Sequence, residues 1–278
     1  MRSSNDEFED DWAGRAGVRL DARGHRARLG LLHVGDAFRH DLGFVRRRGV
    51  GTLFGRYARV LRPRNSSGLV REYAVGAEME STMDDRYASQ LTRVGSVNYE
   101  MLFADGAELR TWGASTFERL SAPFRIGGDV SVPAGDYEFE NVGIEFRSNR
   151  SAVLSGSVEA SAGEFWSGQQ QLISGALRWR MNAHVAASTT LSRTSVTLPE
   201  GTFNGGLVGV RLDWSLTPRM FLNAFVQYNG ETDLWLSNIR FNLIHRPLSD
   251  VYIVWNETRA PDATRRALLL KYTHLIAF

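Results

Sequence analysis

The chain has 278 residues, a formal net charge of +2, 43% hydrophobic and 23% charged residues, which excludes a disordered or fibrous polypeptide. It contains no Cys, so disulfides, a thiol nucleophile and a Cys-bound metal are excluded. Its single Lys, Lys271, follows no Gly-rich turn, which removes a Walker-type phosphate loop. The small net charge argues against a nucleic-acid partner, and no run of about 18 apolar residues marks a transmembrane helix.

In chain order, residues 1–11 carry Asp6, Glu7, Glu9, Asp10 and Asp11 and no apolar core of a signal peptide; they read as a frayed or connecting terminus. Beyond them the pattern is period two. Tyr73, Val75, Ala77 and Met79 alternate against Glu72, Glu78 and Glu80. Ile173, Leu177, Trp179, Met181, Ala183 and Val185 alternate against Arg178, Arg180, Asn182 and His184, read as one run. Val208, Val210, Leu212, Trp214 and Leu216 alternate against Arg211 and Asp213. Successive strand side chains point to opposite faces, so each segment has one apolar and one polar face.

About fifteen strands of roughly 10 to 14 residues are expected, against a usual length of about five or six and about 9 to 11 for a tilted bilayer crossing. Turns fall at 23–25, 62–68, 104–107, 148–151, 183–184, 217–219 and 246–250. An alternate set at 35–46, 82–86, 121–136, 165–170, 197–205, 229–233 and 258–264 reads as about twice as long, the asymmetry of outer-membrane barrels. The fold class expected is all-β, an antiparallel up-and-down transmembrane β-barrel. The chain ends on Phe278, with Ile276, Tyr272, Leu270 and Leu268 at alternate positions before it and His274 the polar departure. This terminal pattern resembles the signal by which outer-membrane proteins are recognised for insertion.

The stretch from Arg211 to Asn229, then Trp235, Asn238 to Phe241, His245 to Glu257 and Leu268 to Tyr272 resembles a known family. So do Val34 to Phe38 and Gly43 to Arg47 upstream. The family is the uncharacterised outer-membrane β-barrel domain that follows a family 9 carbohydrate-binding module in Gram-negative bacterial proteins. The resemblance covers most of the chain and is most specific from about residue 205 onward. It implies a barrel, an outer-membrane address and a link to polysaccharide or oligosaccharide; it supplies no catalytic residue. Set against that family, the reading expects the module, the signal peptide and the first barrel strands to be missing from residues 1–278. With the odd strand count, this leads to the expectation that residues 1–278 are the C-terminal portion of a larger, even-stranded barrel.

The six histidines lack the paired spacing of a zinc site, and no Gly-x-Ser-x-Gly elbow occurs. No metal, cofactor or catalytic residue is therefore assigned. Glu72, Glu78, Glu80, Arg178, Arg180, His184, Arg211 and Asp213 are the candidate lumen-lining residues. Trp12, Trp214, Trp235, Trp255 and Tyr272 are read as an interfacial girdle, with Trp112 and Trp166 as alternative sugar-stacking platforms. The function expected is that of a non-enzymatic barrel in contact with outer-membrane lipid and the insertion machinery. A barrel-embedded hydrolase using His184 near Ser188–Ser192 is one alternative, and a soluble β-sandwich binding module is the other.

Overall fold

In the computed structural model, residues 2–5, 8–39, 45, 47–64, 68–127 and 130–276 are described. Every regular element among them is a strand. In chain order these are β1 (Arg2–Asn5), β2 (Phe8–Ala22), β3 (His25–Val34), β4 (Val50–Leu61), β5 (Val70–Asp84) and β6 (Gln90–Phe103). Next come β7 (Glu108–Leu120), β8 (Phe124–Gly127), β9 (Val130–Val132), β10 (Gly135–Arg147), β11 (Leu154–Phe165) and β12 (Gly168–Arg180). The last six are β13 (Val185–Leu198), β14 (Gly201–Thr217), β15 (Met220–Asn229), β16 (Leu234–Arg246), β17 (Ser249–Arg259) and β18 (Thr264–Thr273). Apart from the short β1 and the separate β8–β9 hairpin, every strand has 10 to 17 residues. Strand order in the main sheet is chain order. The fold is all-β, an antiparallel up-and-down sheet of long strands, which is the strand arrangement of a β-barrel wall.

Two compact units partition the chain. The first comprises residues 1–144, 161–170 and 197–202, and the second residues 145–160, 171–196 and 203–278. In the first unit β2 to β7 form a meander whose registers fix the faces. Val18 opposes Leu29, which opposes Gly55, which opposes Met79. One step along, Gly17 opposes Gly30, Gly30 opposes Phe54, and Phe54 opposes Glu80. Directly opposed residues share a face, so Val18, Leu29, Leu31, Leu53, Tyr57, Val75, Met79 and Val97 lie together, and all are exposed. Their neighbours on the other face include Arg15, Arg28, Arg56, Glu78, Glu80 and Glu100.

The second unit repeats the pattern. Leu212 opposes Ala224, then Ile239, then Trp255, while Asp213 opposes Asn223, then Arg240, then Val254. Again the apolar row is the uncovered one: Val208, Val210, Trp214, Val226, Ile239 and Ile253 are exposed.

The connections depart from the expected parity. Turns at 23–24, 104–107, 218–219 and 247–248 fall where the composition placed them. In the alternate set only 35–49 and 121–134 are long; 166–167 and 199–200 are two-residue turns, and 230–233 and 260–263 have four residues. The asymmetry therefore rests on two loops. Gly201, with φ +147°, takes a backbone conformation open mainly to glycine, which closes the hairpin at Pro199–Glu200. That lets Gly-Thr-Phe-Asn-Gly (201–205) join the ladder instead of forming a loop. The run read from Ile173 to Val185 is likewise two strands, broken at 181–184. The last strand ends at Thr273: beyond it the Leu275 amide donates to Ser249 Oγ (2.9 Å) and the alternation stops.

Candidate functional site

In the first unit two groups of buried apolar residues lie near the long connections, and Ala58, Val60, Ala74 and Ala107 are buried toward the opposite strand ends. After β3 the chain turns back, with Gly35 N–H donating to the Trp12 carbonyl (3.0 Å) and Ala37 N–H to Asp11 Oδ2 (2.9 Å). Phe38, 3% exposed, packs with Val34 and Val50, and Ala13, Leu32 and Val45 close around it. Val34, Val50, Ala13 and Leu32 belong by register to the polar face, so Phe38 and Val45 pack over that face. Arg47 on the returning limb donates to Thr92 Oγ1 (3.3 Å).

Further along, the β8–β9 hairpin is packed as well. Val130 and Val132 of that hairpin are buried, and Val130 packs closely beside Gly201. Phe124 meets Trp166 edge-on at 5.3 Å, Trp166 and Phe139 meet Phe165 at 4.5 and 6.0 Å, and Trp166 Nε1 donates to Glu118 Oε2 (3.3 Å). Trp166 is thus engaged in packing on several sides. Trp112 lies over Gly143, where an added Cβ would collide with the indole, and the Arg110 guanidinium sits 5.6 Å from its ring.

On the polar face of β2 to β6 a cleft of about 1050 Å³ opens, lined by residues that include Arg15, Arg28, Arg47, Arg56, Glu78 and Glu80. Toward the short turns the polar face is an ion-pair ladder. Glu72 accepts from Arg62 (2.8 Å) and lies 3.5 Å from Arg26. Glu100 faces Arg56 at 3.6 Å and Arg110 at 3.8 Å and accepts from Asn98 (3.0 Å). Glu78 lies 3.8 Å from Arg56. These pairs need register as well as sequence: Arg56 opposes Glu78 directly and reaches Glu100 one strand further on.

The corresponding face of the second unit uses amides. Asn223 Nδ2 donates to Asp213 Oδ1 (2.7 Å), Arg240 donates to Asn223 Oδ1 (3.4 Å), and Asn238 donates to Asn256 (2.6 Å). The Arg211 guanidinium stacks 5.1 Å from the Phe225 ring. Arg211 and Asp213 therefore share a face opposite Leu212 and Trp214. Arg178 lines a smaller pocket of about 340 Å³ with Arg147, Arg150 and Thr189. Arg180 instead ties down the turn at 148–153, donating to the carbonyls of Ser151 and Ala152. His184 lies in the 181–184 turn, its Nδ1 3.1 Å from the Ser215 carbonyl, and its ring makes no bond to Ser188–Ser192 among the described residues. No cluster of His, Asp and Glu able to hold a metal occurs among them either.

Aromatic and imidazole rings bracket the apolar face. At the long-loop end of the first unit Trp12, His33 and Tyr87 stack at 4.3 and 6.0 Å. At the short-turn end His25 bonds to the Tyr57 hydroxyl (2.7 Å), and Tyr73 stacks on Tyr99 at 6.3 Å. From His25 to His33 is about 27 Å along an extended strand at about 3.4 Å per residue. In the second unit Trp235 meets Tyr228 at 4.7 Å, and Tyr272 stacks with His245 and His274 at 5.5 and 6.1 Å. Trp255 departs from the expected girdle: it opposes Ile239 and Leu268 in mid-strand. Leu268, Leu270 and Tyr272 share the exposed apolar face, Ile276 lies past the strand end, and Phe278 lies outside the described residues.

No protein-family profile matches the chain, and no curated protein matches it. Among solved structures, a mutant of Rh. blastica porin is similar at 10% identity and TM-score 0.28, covering 93% of this chain and 98% of that one. A chain from work on asymmetric conductivity of engineered proteins is similar at 10% identity and TM-score 0.28, covering 95% and 100%. At that TM-score neither likeness carries an argument, and the fold stated above rests on strand order and register.

Proposed function

We propose that this chain is a non-enzymatic outer-membrane β-barrel whose apolar face contacts lipid and whose polar face lines an aqueous lumen. One observation carries the reading. Long strands in both units leave their apolar rows uncovered, while the ion pairs and amide bonds gather on the opposite face. A soluble sandwich would bury those rows against each other. In lipid they need no cover, and closure of the sheet would satisfy its backbone edges. Along strands tilted about 35–45°, the roughly 27 Å between His25 and His33 spans about 20 Å of height, within an apolar band about 25 Å tall. The resemblance noted in the sequence adds a link to polysaccharide or oligosaccharide, and the alternating Leu268, Leu270 and Tyr272 suit engagement by the outer-membrane insertion machinery.

The test is fractionation of cells producing the chain behind a signal peptide. Retention in membranes through carbonate and urea washes, with heat-modifiable migration on gels, is the expected result. Recovery as a folded soluble monomer would overturn the reading.

A further inference from the structure

Nothing above assigns an occupant to the cleft on the polar face of β2 to β6. Among the described residues, Arg26, Arg56, Arg62 and Arg110 on the same face each have a carboxylate within 4 Å, whereas Arg15 and Arg28 have none. Instead their guanidinium carbons lie 4.9 and 5.5 Å from the centre of the Phe54 ring. Phe54 lies down over Gly30, its directly opposed neighbour; any Cβ there would strike the ring. Glycine at 30 thus leaves room for the ring to lie close over the sheet, with both guanidiniums near it. A cation–π contact occupies no N–H donor, so the edges of both guanidiniums are left to donate. Arg47, which donates to Thr92 Oγ1, lines the same cleft, and Leu32, Val34, Val45 and Val50 form an apolar wall beside it. Glu80, directly opposite Phe54, is the acid that faces this group without an ion pair among the described residues.

We propose that this cleft binds an amphipathic oxyanion: a carboxylate or phosphate ester held by the edges of Arg15, Arg28 and Arg47, with a flat apolar body against Phe54 and the valine wall. Planar guanidinium forks match both oxyanions bidentately, and a concave apolar lining with a few convergent polar groups is the usual make-up of a small-molecule site. Glu80 opposes the anion, so it restrains affinity and orients the charged end away from β5. The inference rests on the barrel reading only in placing the cleft in a lumen; the binding chemistry stands on the cleft itself.

The experiment titrates the full chain, folded in amphipol and checked by heat-modifiable migration, with phenyl phosphate, benzoate, inorganic phosphate and benzyl alcohol, followed by ligand-observed NMR. Phenyl phosphate or benzoate should bind saturably, and which binds tighter identifies the oxyanion. Loss of one charged hydrogen-bond donor in Arg15→Gln or Arg28→Gln should weaken binding about tenfold. Glu80→Gln should tighten it, and Arg119→Gln, paired with Asp136 away from the cleft, should leave it unchanged. If the arginine variants misfold, the wild-type chain still decides: raising ionic strength about tenfold should weaken the oxyanions and not benzyl alcohol. Equal binding of benzyl alcohol, or of inorganic phosphate and phenyl phosphate, would overturn the proposal. So would unchanged affinity in folded Arg15→Gln and Arg28→Gln. A chain that forms no heat-modifiable species overturns the barrel reading instead.

Discussion

The polar faces of the two units obey the same alternation and satisfy it differently. Between β2 and β7 the groups are charges: Glu72 and Glu100 each face two arginines and Glu78 faces Arg56, and one end of the face is covered by Phe38 and Val45. Between β14 and β18 the groups are mainly amides, Asn223, Asn238 and Asn256, with Asp213 and Arg240 joined to the ladder. A wet face lined by paired charges responds to salt and to charge removal. A face of hydrogen-bonded amides holds its geometry with little charge and little salt dependence. Period two says only that a face is polar; what that face does depends on which polar groups the register brings together.

The cover over the first face offers the sharpest break between them. Phe38→Ala removes a nearly fully buried ring and should cost about 3–5 kcal/mol of loop packing. Trypsin should then cut faster at Arg47 and Arg48, while the strands keep their thermal transition. An unchanged cutting rate would mean that the loop is not held by Phe38, and the contrast between a covered and an open face would weaken.

A somewhat smaller effect separates the two faces of the second unit. Leu212→Arg, in the middle of the apolar row, should destabilise the chain folded in bilayers by about 2–4 kcal/mol. Arg211→Leu on the amide face should cost much less, since its ring contact with Phe225 is the interaction lost. Equal costs in a denaturant titration would show that the faces are not lipid and lumen.

The smallest effect compares the ladders directly. Glu100→Gln weakens pairing to Arg56 and Arg110 and should cost at most about 1 kcal/mol, fading as salt rises. Asn238→Ala removes a neutral bond to Asn256 and should cost about 1 kcal/mol at any salt concentration. A salt-independent Glu100→Gln penalty would place that ladder in a dry interior.

Much of the fold was legible because period two is a local property. The row Val208 to Leu216 and its opposition to Arg211 and Asp213 follow from side-chain alternation alone, and Gly24 or Gly106 announces a tight turn. The loops were read less well. Gly201 to Gly205 has the composition of a loop and the structure of a strand, because a glycine-only conformation at Gly201 makes a two-residue turn sufficient. Trp166 turns a hairpin at φ +48°, a position where no residue-type preference points to Trp. The site was the least legible part. Glu78 and Glu80 stood out as polar strand residues, but Arg15, Arg28 and Phe54 come from three strands and meet only through register. Nothing local in residues 35–49 says that Phe38 turns back over a polar face.

The central claim, that one face meets lipid and the other water, has a direct test because the chain has no Cys and single-Cys variants need no background removal. Spin labels at Leu29, Leu31, Val210 and Leu212, and at Arg28, Glu80, Arg211 and Gln227, would be compared in bilayers for collision with oxygen and with a water-soluble nickel chelate. The account predicts high oxygen and low nickel accessibility for the first four and the reverse for the second four. Uniform accessibility across the eight, or the opposite assignment, would contradict it.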